Sequence, residues 1–284
     1  MSKKKSRSRP RSQSSKKTEQ RSLVDVVVPF FGDVEFVEAA IQSVKEACGD
    51  ISYKLIVVDN GSPDQVGREV FRKLEENGIE FRKIWLKNNM GYPGGVNAGV
   101  HAGDSPLVFI LTADVVMDPG SIAHAVAEMD DPNIGVVGCK LIFPPGSQYG
   151  TEGMIQHAGL AMDLSANIFH IFLGWSADHP KVNIRREMYA ITGAAFMTRR
   201  SLFLKVEGLN TLYGAGTYED MEYCVRMKEL GRKIVYAPKV SGTHHVGGSM
   251  VAGANKGGFA LEQNKQLFMA RCGRALEWDE WRYW

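Results

Sequence analysis

Four short apolar runs, separated by stretches of helical spacing, fill residues 24–111 and restrict the chain to few architectures. Val24–Pro29 predicts a buried first strand. Phe36, Val37, Ala40, Ile41 and Val44 then follow helical spacing across Val34–Cys48, which ends at Gly49. Tyr53–Val58 predicts a second strand, broken by Asp59-Asn60-Gly61-Ser62. Val66, Val70 and Leu74 mark a second helix ended by Asn77-Gly78, and Ile79–Leu86 predicts a third strand. Pro93–Ala102 reads as a helix entered from a Gly-rich turn, and Leu107–Leu111 as a fourth strand running into Thr112-Ala113-Asp114. Strand–helix units in succession predict an α/β fold, with a mostly parallel sheet covered by helices on both faces. Ligands of such sheets bind at the carboxyl ends of the strands. The polar clusters Asp59–Asp64 and Thr112–Asp118 fall there.

Beyond about residue 140 the pattern changes to short segments rich in Gly, His and aromatics, from Phe143 to Met188. Ala190–Arg199 predicts a strand, and Tyr218–Leu230 an amphipathic helix ended by Gly231. Lys233–Ala237 predicts a strand stopped by Pro238, and Leu261–Glu280 a final helix. A length of 284 residues suffices for a large core.

Charge is uneven. The formal net charge is +2, yet residues 1–21 carry nine Lys and Arg against the single acid Glu19, leaving 25 basic and 31 acidic residues beyond them. This Ser/Lys/Arg-rich tail (residues 1–22) has no apolar period and is expected to be disordered. It lacks the apolar region of a secretory signal. It serves either as a solubilising tail or as a tether to nucleic acid or an anionic membrane. No apolar run reaches the roughly 18 residues of a transmembrane helix. Cys48, Cys139, Cys224 and Cys272 are scattered, without metal-ligand spacing, and read as free core thiols. A cytoplasmic protein is expected, with peripheral membrane attachment as the other use of the tail.

Several clusters carry candidate chemistry. Asp59-Asn60-Gly61-Ser62 is either a solvated turn or a carboxylate that accepts hydrogen bonds from a base or ribose. Asn89-Met90-Gly91-Tyr92-Pro93-Gly94-Gly95-Val96-Asn97 opens a helix, where glycines allow backbone to approach a phosphate. The run is neither a Walker A loop nor a GxGxxG fingerprint, which argues against a P-loop or dinucleotide enzyme. Asp114, at the end of a buried strand, is costly unless paired or bound to metal. Mg²⁺ sites commonly combine one or two carboxylates with substrate phosphates and water. Glu219-Asp220 at a helix start either favours the helix dipole or supplies a general base. His244 and His245 are further metal candidates; adjacent side chains point apart, so only one is expected to bind.

The order of these segments resembles glycosyltransferase family 2, the inverting GT-A enzymes, over about residues 23–250. Val26-Val27-Val28-Pro29 looks like the family's opening strand, Asp59-Asn60-Gly61-Ser62 like its nucleoside-binding acid motif, and Asn89–Gly99 like the turn of rhamnosyltransferase-like members. Thr112-Ala113-Asp114 occupies the place of the metal-binding Asp-x-Asp; its first Asp is Thr112 here. Thr192-Gly193-Ala194-Ala195-Phe196-Met197 followed by Glu219-Asp220 looks like the acceptor-side segment and base. The resemblance implies a Rossmann-like nucleotide-sugar half at about 23–118, an acceptor half at about 119–250, and a C-terminal loop and helix at 251–284. It implies Mn²⁺ or Mg²⁺ on Asp114 with His245 or His244, a UDP- or dTDP-sugar donor, and Asp220 as base. Donor or acceptor contacts would come from Pro29, Asp59, Asn60, Gly61, Asn89, Gly91, Gly95, Asn97, Thr112, Ala113, Gly193 and Glu219. Trp175, Tyr213 and Tyr218 are candidates to stack on sugar faces. The acceptor is open.

Two other readings share this sequence. A sugar-phosphate nucleotidyltransferase would use the same fold logic, but usually carries a basic Gly-rich loop after the first strand, where this chain has Phe30-Phe31-Gly32-Asp33. An inactive sugar- or nucleotide-binding module would account for Thr112.

Overall fold

The structure, a computed structural model, describes residues 22–32, 34–63, 65–163, 167–245 and 260–276. The basic tail at 1–21, Asp64, residues 246–259 and the expected helical residues 277–280 lie outside them.

The first half alternates as its spacing predicts: β1 (Val24–Phe30), α1 (Val34–Cys48), β2 (Tyr53–Asp59), α2 (Val66–Glu76), β3 (Arg82–Trp85), α3 (Gly91–Ala102) and β4 (Leu107–Leu111). These four strands form a parallel unit in the order β4-β1-β2-β3, with Val27 opposite both Ile56 and Ile110. Side chains of successive strand residues alternate between faces. Val26 and Val28 therefore join the core under α1 and α2, whereas Val27 joins the core under α3. Burial of β1 on both faces explains why it is apolar at every position but Asp25.

The second half extends the same sheet. It contains β5 (Val115–Met117), α4 (Ser121–Glu128), β6 (Ile134–Ile142), β7 (Ile155–His157), β8 (Leu160–Met162), β9 (Ile168–His170), β10 (Arg186–Glu187), β11 (Ala195–Arg199), α5 (Arg200–Lys205), a 3₁₀ turn at Thr211–Tyr213, α6 (Glu219–Glu229), β12 (Lys233–His244) and α7 (Leu261–Cys272). The ten-stranded sheet runs β10-β12-β6-β11-β4-β1-β2-β3, with β5 on β12 and β7 on β6. Antiparallel β11 joins the halves by pairing with both β4 and β6. A second small sheet pairs β8 with β9. At the end of the parallel unit opposite the strand carboxyl ends, fully buried Asp25 pairs with Arg200 and accepts from Ser105 Oγ at 2.6 Å. None of the described helices is long and apolar enough to cross a membrane.

Several boundaries differ from the sequence expectation. The final helix ends at Cys272, before a 3₁₀ turn at Gly273–Ala275, rather than running on to Glu280. β12 does not stop at Pro238 but continues to His244. Its register on β6 jumps between Tyr236 and Ser241, so Pro238 sits in a bulge where no ladder N–H is needed. The strand expected from Ala190 begins only at Ala195, because the preceding N–H groups serve other partners. Thr192 N donates to His157 Nε2 at 3.3 Å and Gly193 N to Asp220 Oδ2 at 2.8 Å. β3 starts at Arg82 rather than Ile79, since Ile79 N caps the end of α2 on Leu74 O. The stretch 115–142, which contains β5, α4 and β6, gave no clear periodic signal.

Candidate active site

The carboxyl ends of β1, β2 and β4 open into a cleft of about 480 Å³, closed on the far side by the start of α6 and the ends of β9 and β12. Pro29, Asn60, Asn89, Gly91, Thr112, Asp114, Gly193, Glu219, Asp220 and His244 all line it, as does Tyr218.

On the strand side, Asn60 ties the end of β2 to the turn before α3. Its Nδ2 donates to Gly91 O at 2.9 Å and Asn89 Oδ1 at 3.2 Å, and its Oδ1 accepts from Met90 N at 3.1 Å. Asn89 Oδ1 also accepts from Gly91 N at 2.8 Å. Gly91 has φ +70°, and a Cβ there would sit 1.8 Å from Gly214 O, so the close approach of these turns requires glycine. Gly91→Ala is expected to lose about 2–3 kcal/mol, seen as a lower urea midpoint with an unchanged m-value.

Asp114 emerges from β4 into the cleft. Burial opposes its ionisation, but the neighbouring His244 and hydrogen bonds from His244 and Thr112 prevail and hold its carboxyl below the usual aspartate range. His244 Nε2 lies 3.4 Å from Asp114 Oδ1, and His244 Nδ1 lies 3.2 Å from Gln156 Oε1. In one tautomer Nε2–H faces the carboxylate; the other, with Nδ1–H on Gln156, presents the Nε2 lone pair there and suits an imidazole sharing a cation with Asp114. His245 turns away: its N–H donates to Asp114 O at 2.8 Å and its ring stacks on Phe36 at 4.9 Å. No cluster of three or more His, Cys, Asp or Glu suited to a metal occurs among the described residues. Asp114 and His244 are two donors that could hold a cation of the kind whose remaining positions are commonly filled by substrate phosphates and water.

Across the cleft, Asp220 accepts from Gly193 N and Met221 N, both at 2.8 Å. Burial pushes its carboxyl above the usual range despite those bonds. Burial, and then the charge of Asp220, push Glu219 well above its ordinary value. Glu219 Oε2 is buried without a hydrogen-bond partner. Tyr92 donates to Gly193 O, and burial followed by the charges of Glu219, Asp220 and Asp114 raises its hydroxyl well above the usual value.

Other expected site residues lie elsewhere. Asp59 is buried and serves its own turn: Oδ1 accepts from Ser62 N at 2.8 Å, and Oδ2 occupies the space a Cβ on Gly67 would need. Gly61 has φ +77° with Asn88 backbone against it, and Gly95 packs on Asn60 and Pro29. Asn97 spends its amide on Leu209, donating to its O at 2.7 Å and accepting from its N at 2.9 Å. Ala113 points into the core. Trp175 packs on Phe172 and His179 in a separate apolar cluster, and Tyr213 is buried with its hydroxyl donating to Glu222 at 2.6 Å.

The structure also brings in residues the motifs did not mark. His157 Nε2 accepts from Thr192 N, so its Nδ1 carries the proton and donates to His170 Nδ1 at 2.9 Å. Burial pushes both rings down, His170 to about 4, so this pair stays neutral and holds the Thr192–Gly193 backbone. A His closing each of two short strands was the only available signal.

An α/β sheet with carboxylates at its strand ends, facing an acidic helix start across a cleft, has the architecture of the GT-A fold. The chain belongs to glycosyl transferase family 2, whose model matches residues 25–206. Over 241 residues it is 24% identical to the O-antigen biosynthesis protein RfbC of Myxococcus xanthus, covering 81% of this chain and 18% of that protein. Over 228 residues it is 27% identical to protein y4gI of Sinorhizobium fredii, covering 78% of this chain and 24% of that one. The chain thus spans about a quarter or less of the length of these two relatives. Among solved structures it resembles the mannosyltransferase PcManGT of Pyrobaculum calidifontis in complex with GDP-Man and Mn²⁺ (TM-score 0.57, 18% identity, 80% of this chain and 58% of that one). It also resembles GalNAc-T7 with UDP, GalNAc and Mn²⁺ (TM-score 0.60, 14% identity, 80% and 44%). At these identities the likeness shows the fold, which is GT-A.

Proposed function

We propose that this chain moves a hexosyl or deoxyhexosyl group from a nucleoside-diphosphate sugar to an acceptor hydroxyl, with inversion and with a divalent cation bound at Asp114 and His244. The charge balance of the cleft carries the reading. Asp114, Glu219 and Asp220 line it, and among the described residues no Lys or Arg does. Among the described residues a diphosphate entering there meets no protein cation, and a metal ion held by Asp114 with His244 fits the missing charge. Bound there, Mn²⁺ or Mg²⁺ would offset the charge that develops on the departing diphosphate.

The chain's own residues supply the rest. Asn60 and Asn89 fix the turn on the nucleoside side. Thr112, in the place of a family acid, brings no second charge to the cleft, and its hydroxyl donates to Ala194 O at 3.2 Å. Asp220, held by two N–H donors, takes the proton of the acceptor hydroxyl as that oxygen attacks the anomeric carbon from the face opposite the diphosphate. The Asn89–Gly99 turn and Thr112-Ala113-Asp114 support a place near the rhamnosyltransferase-like members of the family. The buried, unpaired thiols of Cys48, Cys139, Cys224 and Cys272 support a cytoplasmic setting.

A thermal-shift screen of UDP-, dTDP- and GDP-sugars with Mn²⁺ or Mg²⁺ tests the donor. A donor at 100 times its Kd adds about 2.7 kcal/mol of apparent stability. Products then decide the reaction. Released nucleoside diphosphate supports transfer, pyrophosphate supports a nucleotidyltransferase, and binding without turnover of any kind supports a binding module.

A further inference from the structure

We infer that Asn264 is a positioning residue: from α7 it clasps the strained turn Tyr213–Tyr218, and through that turn it aims Glu219 and Asp220 into the cleft. The inference rests on Asp220 acting as the base.

The turn has positive φ at four of its six residues, two of which, Thr217 and Tyr218, are not glycine. Gly214, Gly216, Thr217 and Tyr218 have φ of +60°, +131°, +77° and +71°. Left-handed backbone at a β-branched residue and again at an aromatic one costs about 1–3 kcal/mol each and persists only where the surroundings over-determine it. Asn264 supplies that determination. Its side chain is 4% exposed, and its Nδ2 lies 2.8 Å from Gly216 O, 3.1 Å from Tyr213 O, 3.1 Å from Thr217 Oγ1 and 3.3 Å from Thr217 O. Four oxygens converge on one nitrogen with two hydrogens, so this amide is the shared donor for the whole turn. One helical turn further along α7, the Phe268 ring packs against Tyr218 at 5.5 Å.

The strained residues end where the chemistry begins. Tyr218 is the residue before α6, and Glu219 and Asp220 are its first two residues. A change in the Thr217 or Tyr218 dihedrals therefore rotates both carboxyls with nothing between to absorb it. Asn264 touches neither carboxylate and does not line the cleft. Both it and α7 lie beyond the residues that the family model matches.

The test compares Asn264→Ala with Asn264→Asp in the full chain. Asp keeps the shape but sets a carboxylate against the four oxygens, so a donor role makes it the more damaging change, whereas a packing role makes Ala worse. Three readouts apply: kcat and KM for the sugar nucleotide selected by the donor screen, amide hydrogen exchange over residues 217–222, and melting temperature. The expected result is a kcat lower by about 10–100-fold with KM within about twofold, and faster exchange confined to 217–222. Unchanged exchange in both variants, or a kcat loss no larger for Asp than for Ala, overturns the inference. Exchange reads the clasp without turnover. If Asp220→Asn keeps wild-type transfer while the Asn264 variants still loosen 217–222, the base assignment fails and the clasp stands.

Discussion

Asp220→Asn is expected to lower sugar transfer by about 10²–10⁴-fold while leaving donor binding within about twofold of wild type, the loss typical of removing a positioned general base. The substitution is well suited to separate chemistry from folding. Asn keeps one oxygen for Gly193 N or Met221 N and gives up the other bond. It also removes a buried carboxyl whose folded-state pKa burial has raised. A raised pKa means that the group's contribution to stability is complete below the unfolded pKa and is lost as pH rises through the folded one. Two neighbouring carboxyls whose ionisation burial opposes share this place in the wild type, and the Asn variant removes one of them. A melting temperature unchanged or higher, together with lost transfer, is the expected combination. The wild-type rate should also fall on its acidic limb above the ordinary aspartate range, because the base form is lost at a higher pH. Equal loss of donor binding and transfer would mark Asp220 as structural.

Asp114→Ala is expected to lower kcat/KM by about 10²–10³-fold, the several kcal/mol that a cation at a leaving diphosphate supplies. Titration with Mn²⁺ should show a half-saturating concentration shifted upward, with His244→Ala intermediate and His245→Ala near wild type. The order follows from placement: His244 faces the Asp114 carboxylate, whereas His245 stacks on Phe36. The stability effect has the opposite sign from that at Asp220. The folded-state pKa of Asp114 is depressed, so its contribution is present above the unfolded pKa and lost only as pH falls below the ordinary carboxylate range. Asp114→Ala should therefore destabilise the protein at neutral pH and converge on wild type in acid. Full activity of the variant would remove the cation from the account.

The parallel half was legible because its signals are local. Val24–Phe30 and Leu107–Leu111 are buried on both faces and read as apolar runs, broken only at Asp25, and the spacing of Val37, Ala40, Ile41 and Val44 is that of one buried helix face. Asp114, Asp220 and Asn60 could be named from their positions at element ends. What was not legible depends on partners distant in sequence. Asn97 resembles a phosphate-turn residue but meets Leu209, and Trp175 resembles a sugar platform but fills its own cluster. Ala190–Ala194 has strand composition, yet the N–H groups of Thr192 and Gly193 go to His157 and Asp220. Pro238 reads as a stop until β6 is seen to bypass it with a bulge. Asn264 carries no local signal at all, since its four acceptors lie 47 to 51 residues earlier.

The claim that a cation at Asp114 and His244 lets an acidic cleft hold a diphosphate is tested most directly by calorimetric titration of UDP, dTDP and GDP into the full chain, with Mn²⁺ and again in chelator. The account predicts binding of at least one of them in Mn²⁺ that weakens by about 100-fold or more in chelator. Equal affinity in both conditions would contradict it.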